Sequence, residues 1–135
     1  MSLNEELAAI EAVVSECEGM IESGEISVDA IVKRIQSVAD PNEQIAAGGE
    51  LVGLLVSQSK KINIVRLKEL KHLHPNDAGL HQLGYRAAKC FLALNEVGLD
   101  VSEELVSPNL KQGVRDQIAK MKEGLQVLVT GLVHS

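Results

Sequence analysis

Groups that can bind metals or carry protons near neutral pH are concentrated in residues 72–86, which contain three of the four histidines and the only tyrosine. Histidine is the side chain whose ordinary pKa lies closest to physiological pH. Pro75 divides the segment, and the residue before a proline avoids the α region, so a helix should end there. Two kinds of site can be built from these residues, a metal centre and a phosphoacceptor.

A metal centre would use His72, His74, Asp77 and His81. Asp77 and His81 are spaced i, i+4 and would share one helix face, while the other two histidines would fold back across the proline turn. Imidazole and carboxylate groups are zinc ligands. The spacing matches no standard metal motif, and no glutamate stands beside a histidine pair to act as a base. We therefore expect no metal or other cofactor, and keep this group of four as the alternative.

The phosphoacceptor would be His81. Residues 81–85 resemble the His-x-x-Lys-Gly motif of histidine phosphotransfer domains, which are helical bundles of similar length. The resemblance covers five residues and departs from the motif at two of them, because Gly84 replaces the lysine and Tyr85 replaces the glycine. What it implies is a phosphorelay carrier that uses His81. We keep this function as the alternative.

Other catalytic arrangements are missing from the sequence. Cys17 and Cys90 are far from the histidines and lie in apolar helical stripes, where a thiol is inert. Gly48 and Gly49 are not followed by the Lys-Ser/Thr pair of a phosphate-binding loop. These observations predict a protein that is not an enzyme. They also favour a reducing, cytoplasmic location, since two distant cysteines form no disulfide framework.

Charge is distributed unevenly. The first 50 residues carry 11 acids and 2 bases, whereas residues 51–90 carry 2 acids and 7 bases. The middle bases form what we call the basic strip, which consists of Lys60, Lys61, Arg66, Lys68 and Lys71. It predicts either a helix paired with the acidic first helix or a surface for an acidic protein partner. Nucleic acid is disfavoured, because the pI is about 5.2 and two aromatic residues are too few for base stacking.

Hydrophobic periodicity predicts one all-α domain over residues 1–135, a bundle of four main helices and one short helix. Caps, prolines and glycines place helices at about 3–23, 28–39, 77–97 and 108–133, with Gly98 ending the third of these. Residues 41–72 form one helix or two, and the Gly48-Gly49 pair is a candidate break. No signal peptide or membrane span is expected.

The C-terminal helix becomes apolar on most sides over residues 125–133, with Val127 and Val129 on the face expected to meet water. Such a helix needs extra cover. Either the short second helix supplies it, or a second copy of the chain does, with contacts at Val127, Val129, Leu132 and Val133. The sequence thus predicts a non-enzymatic protein–protein interaction or assembly module that forms a homodimer.

Overall fold

The computed structural model describes residues 2–38, 40–106 and 108–133, which pack as an all-α bundle. Within these ranges there are four long and two short α-helices and no strand. The helices are α1 (Leu3–Glu22), α2 (Val28–Gln36), α3 (Pro41–Lys60), α4 (Ile64–Leu73), α5 (Ala78–Leu105) and α6 (Lys111–Val133), with a 3-10 turn at Pro108–Leu110. The predicted fold class is confirmed.

Helix α1 begins and packs as its sequence pattern predicts. The Ser2 hydroxyl accepts a hydrogen bond from the backbone N–H of Glu5 at 3.2 Å, which satisfies one of the unpaired donors of the first turn. Ile10, Val14 and Cys17 of the apolar stripe are buried. The helix is therefore held along one face, and its other faces carry the acids.

Helix α5 is the centre of the bundle and packs against each of the other five α-helices. The prediction that it ends at Gly98 is wrong, because the helix continues to Leu105. Gly98 is buried, and a Cβ built there would lie 3.5 Å from Cγ1 of Val52 on α3. The glycine lies at the contact between α5 and α3, and packing there offsets its cost in a helix interior.

The segment 41–72 forms two helices, α3 and α4, and they separate at residues 61–63 instead of at Gly48-Gly49. Asn63 has the left-handed backbone conformation, with φ of 55°, and its side chain caps α4 by accepting from the N–H of Arg66. Ile62 and Ile64 are buried on either side of it. The chain turns because asparagine tolerates this conformation while both neighbours enter the core.

Helix α6 packs against α4 and α5, so the prediction that α2 covers it is wrong. Val129 and Leu132 are buried, whereas Val127 is 72% exposed. The expectation that Val129 meets water is also wrong, because α4 and α5 together cover more of the helix than a single neighbour would. No helix within the described ranges is both long enough and apolar enough to cross a bilayer.

Candidate functional site

The histidine residues of 72–81 lie at the corner between α4 and α5. His74 follows the last residue of α4, and its backbone N–H donates to the Leu70 carbonyl at 2.8 Å. Asp77 caps α5, since its carboxylate accepts from the N–H of Leu80 at 3.0 Å. His81 is half-buried, and its Nε2 lies 2.6 Å from the carbonyl oxygen of Pro75. The corner is therefore held by local hydrogen bonds.

These hydrogen bonds leave the predicted metal ligands apart. Among the residues that the structure describes, no group of three or more His, Cys, Asp or Glu side chains is placed to hold a metal ion. His72 and His74 are exposed, Asp77 is engaged as a helix cap, and His81 is bonded to the proline carbonyl. The alternative site of His72, His74, Asp77 and His81 is thus not assembled in this structure.

The surroundings of His81 also bear on phosphoryl transfer. It lines a shallow depression with Gln82, Tyr85 and Arg86. The Arg86 guanidinium is bonded to the carboxylates of Glu11 and Glu18, so it is not free to neutralise a phosphoryl group there. His81 as a phosphoacceptor stays a prediction, and phosphorylation at Nε2 would require its bond to the Pro75 carbonyl to break.

The basic strip is divided between two roles. Arg66 pairs with Glu6 of α1 at 2.5 Å and with Glu69 at 3.0 Å. Lys71 donates from Nζ to the Gly131 carbonyl at 3.0 Å, near the end of α6, where a cation is favourable. The hydrocarbon stem of Lys68 lies beside the same glycine. Each of these three bases therefore contacts another helix of the bundle.

Lys60 and Lys61 remain as the exposed members of the strip, and they lie where α3 ends. The acidic partner stays a prediction, and these two lysines are the ones positioned to contact it.

A second arginine cluster, around Arg86, was not predicted from the sequence. Arg86 donates to both oxygens of Glu11 at 2.8–2.9 Å, to both oxygens of Glu18 at 2.5–3.1 Å and to the Ser15 hydroxyl at 3.3 Å. This Arg86 clasp fastens α1 to α5. The available signal was the spacing of Glu11, Ser15 and Glu18 at i, i+4 and i+7, which places them on one helix face.

Both cysteines are buried and free. Burial raises the pKa of the Cys90 thiol to about 11, and it also raises the pKa of Cys17. The thiolate is the nucleophilic form of cysteine, so a raised pKa suppresses its reactivity. Both residues serve packing between α1 and α5.

An apolar groove of about 550 Å³ lies between three helices. We call it the α3–α5–α6 groove, and it is lined by Val52, Val56, Asn95, Gly98, Leu99, Met121, Gly124, Leu125 and Leu128. All of these except Asn95 are apolar or glycine. Met121 is 55% exposed and Leu128 is 38% exposed, so the groove presents apolar side chains to solvent. This volume and composition are typical of binding sites.

None of the four predicted oligomer contacts lines this groove, and only one of them is exposed. Val129 and Leu132 are buried inside the chain and Val133 is half-buried, so the first two have no surface to offer a partner. Val127 is exposed on the same helix but does not line the groove. Sequence reasoning missed Met121, Leu125 and Leu128 as a surface, because their i, i+4, i+7 spacing is equally typical of core.

Comparisons of the chain with protein-family models, with curated proteins and with solved structures find no match.

Proposed function

We propose that this protein is a non-enzymatic assembly module of the cytoplasm that forms a homodimer through the α3–α5–α6 groove. The observation that carries the proposal is the apolar row on α6 at the wall of that groove, in which Met121 and Leu128 are exposed and Leu125 between them is half-buried. A contiguous apolar surface bordered by polar residues is typical of a protein-binding site, and burying it on association is favourable.

A second copy suits the groove because α6 lines one side of it and also presents exposed apolar side chains that can enter the groove of another copy. In a twofold dimer the same patch faces itself, so a surface that contains both shapes is self-complementary. Gly124 lies between the apolar residues of α6, and a Cβ built there would meet nothing within 4 Å. The backbone is open at this point, which allows a helix from another copy to approach closely.

The charges beside the groove support the same occupant. Lys122 pairs with Asp100 at 2.6 Å, and Gln126 donates to Glu96 at 3.4 Å. Each contact joins α6 to α5. Lys122 and Asp100 neutralise each other within one chain, so two copies can face each other without bringing either of these charges together unpaired.

Sedimentation equilibrium over a hundredfold range of protein concentration tests the proposal. We expect a reversible dimer that Met121→Ser weakens. Covering the exposed half of this side chain stabilises by about 1 kcal/mol per copy, so a symmetric dimer should lose about 2 kcal/mol, a roughly thirtyfold rise in Kd.

The matched control is Val65→Ser, because Val65 is 62% exposed on α4 and lies outside the groove. It should leave the dimer unchanged. A monomer at every concentration, or equal effects of the two substitutions, would refute the proposal. Val127→Ser in the same series tests the predicted contact at that residue.

A further inference from the structure

A second groove lies on the other side of α3, between α2, α3 and the end of α1. It has a volume of about 500 Å³. We call it the α2–α3 groove, and it is lined by Met20, Glu25, Ile26, Ala30, Ile31, Arg34, Leu51, Leu54, Leu55 and Gln58. Ile26, Ile31 and Leu55 are buried at its base, while Leu54 is 60% exposed. The groove therefore combines an apolar base with an uncovered apolar rim.

The direction of the groove follows from the contacts of α3. Gly48, in the first half of α3, packs against Ile35 at the end of α2. Gln58, in the last turns of α3, lines the groove together with Glu25 and Ile26, which precede α2. Helices α2 and α3 thus run in opposite directions, and the groove follows α2 from its first residues to its last.

The two ends of the groove carry opposite charges. Glu25 precedes α2 and Arg34 lies in its last turn. Because α2 has nine residues, these charges are separated by a helix ~13 Å long. Both are exposed, and neither forms an ion pair with any other residue in 2–38, 40–106 or 108–133. The groove is therefore apolar along its length, negatively charged at the end near Glu25 and positively charged at the end near Arg34.

We infer that the α2–α3 groove binds an amphipathic helix of a partner protein that runs opposite to α2, with an acidic first turn at Arg34 and a basic last turn at Glu25. Acids in the first turn and bases in the last turn are the arrangement that a helix dipole favours. Such a helix matches both ends of the groove at once. Its apolar side chains at i, i+3, i+4 and i+7 would cover Leu54 and the base, as in other helix-in-groove complexes.

A second copy of this chain fits the α2–α3 groove less well. Helix α6, whose apolar row reaches solvent, has no acid in its first turn and no base in its last turn. Helices α2 and α3 have both, but they form the walls of this groove, so a second copy could present them only through the same surface. The inference is independent of the proposed dimer, since the two grooves lie on different sides of α3 and share no lining residue.

Two synthetic peptides test the inference. They have the same composition and the same leucines at i, i+3, i+4 and i+7, but one has glutamates in its first turn and lysines in its last turn, and the other has these charges exchanged. Fluorescence anisotropy measures their binding to the full chain. We expect the first peptide to bind at least tenfold more tightly.

The double variant Glu25→Lys with Arg34→Glu should reverse this preference, which separates groove recognition from the different helicity of the two free peptides. Met121→Ser is the control and should bind both peptides as the unaltered protein does, whether or not it dimerises. Equal binding of the peptides, no saturable binding of either, or an unreversed preference would overturn the inference. Loss of the dimer in the double variant would also overturn it, because the occupant would then be a second copy.

Discussion

Replacing Arg86 by methionine tests how α1 is held to the bundle. Methionine keeps the apolar stem of the side chain and removes the guanidinium, so the change isolates the hydrogen bonds to Glu11, Ser15 and Glu18. The Arg86 side chain is 34% exposed, Glu18 is 33% exposed and Glu11 is 45% exposed. The clasp is thus partly shielded from water and more favourable than a fully exposed pair.

The expected magnitude follows from this geometry. Exposed ion pairs contribute about 0.2–1 kcal/mol each, and two well-aligned pairs that are partly shielded should reach the upper part of that range. Arg86→Met should therefore lower the free energy of unfolding by about 1–2 kcal/mol. For a chain of this size the midpoint of thermal unfolding should fall by roughly 4–8 °C. Urea and thermal denaturation followed by circular dichroism measure both quantities.

The effect should disappear in acid. The Arg86 guanidinium holds the pKa of Glu18 below its ordinary value of 4.5. A carboxyl whose pKa is lower in the folded than in the unfolded state stabilises the fold above the unfolded value, and that contribution is lost as the pH falls through the folded value. The difference between Arg86→Met and the unaltered protein should be complete at neutral pH and shrink below about pH 4.

Arg115→Met is the matched control, because Arg115 pairs with Glu103 yet is 61% exposed. It should cost less than about 0.5 kcal/mol. If the two arginine substitutions had equal effects, or if the effect of Arg86→Met persisted unchanged in acid, the clasp would not be what fastens α1.

Three further outcomes follow from the described contacts. Gly49→Ala should stabilise α3 by about 0.5–1 kcal/mol, since a Cβ at this position meets nothing within 4 Å. Gly48→Ala should gain less or lose stability, because its Cβ would collide with a leucine methyl at the end of α5. Urea denaturation compares the two variants. Cys17 and Cys90 should react with a thiol reagent slowly in the native protein and rapidly in denaturant, and fast native labelling at pH 8 would contradict their burial. Acetyl phosphate should leave the protein unphosphorylated, as measured by mass spectrometry. A phosphoryl adduct that forms on the unaltered protein and is absent from His81→Gln would instead support the phosphorelay function.

Local sequence signals predicted the helices well where caps and periodicity agree. Ser2, Asp40 and Asp77 each cap a helix at or within one residue of the predicted start. The failures occur where tertiary packing overrides a local signal. Gly98 is an ordinary helix stop by sequence, but it is buried against α3 and the helix continues through it to Leu105. Asn63 carries no recognisable break signal, because the turn depends on burying Ile62 and Ile64 on either side.

The candidate sites were harder to predict than the fold, because apolar side chains at helical spacing have the same pattern whether they face a core or a groove. Met121 and Leu132 belong to one sequence stripe, yet the first is 55% exposed and the second is buried. Which one meets solvent depends on how far α4 and α5 extend along α6. For the basic strip the sequence left two alternatives open, and the pair of Arg66 with Glu6 of the acidic first helix agrees with one of them, while the acidic partner stays a prediction.

A dilution series followed by two-dimensional amide NMR tests the proposed dimer most directly, because it locates the surface as well as detecting association. We expect concentration-dependent shifts at amides that line the α3–α5–α6 groove, with the largest at Met121, Leu125 and Leu128 on α6. The α2–α3 groove around Leu54 should remain unperturbed. Spectra that do not change with concentration, or shifts centred on α2 or α4, would contradict the account.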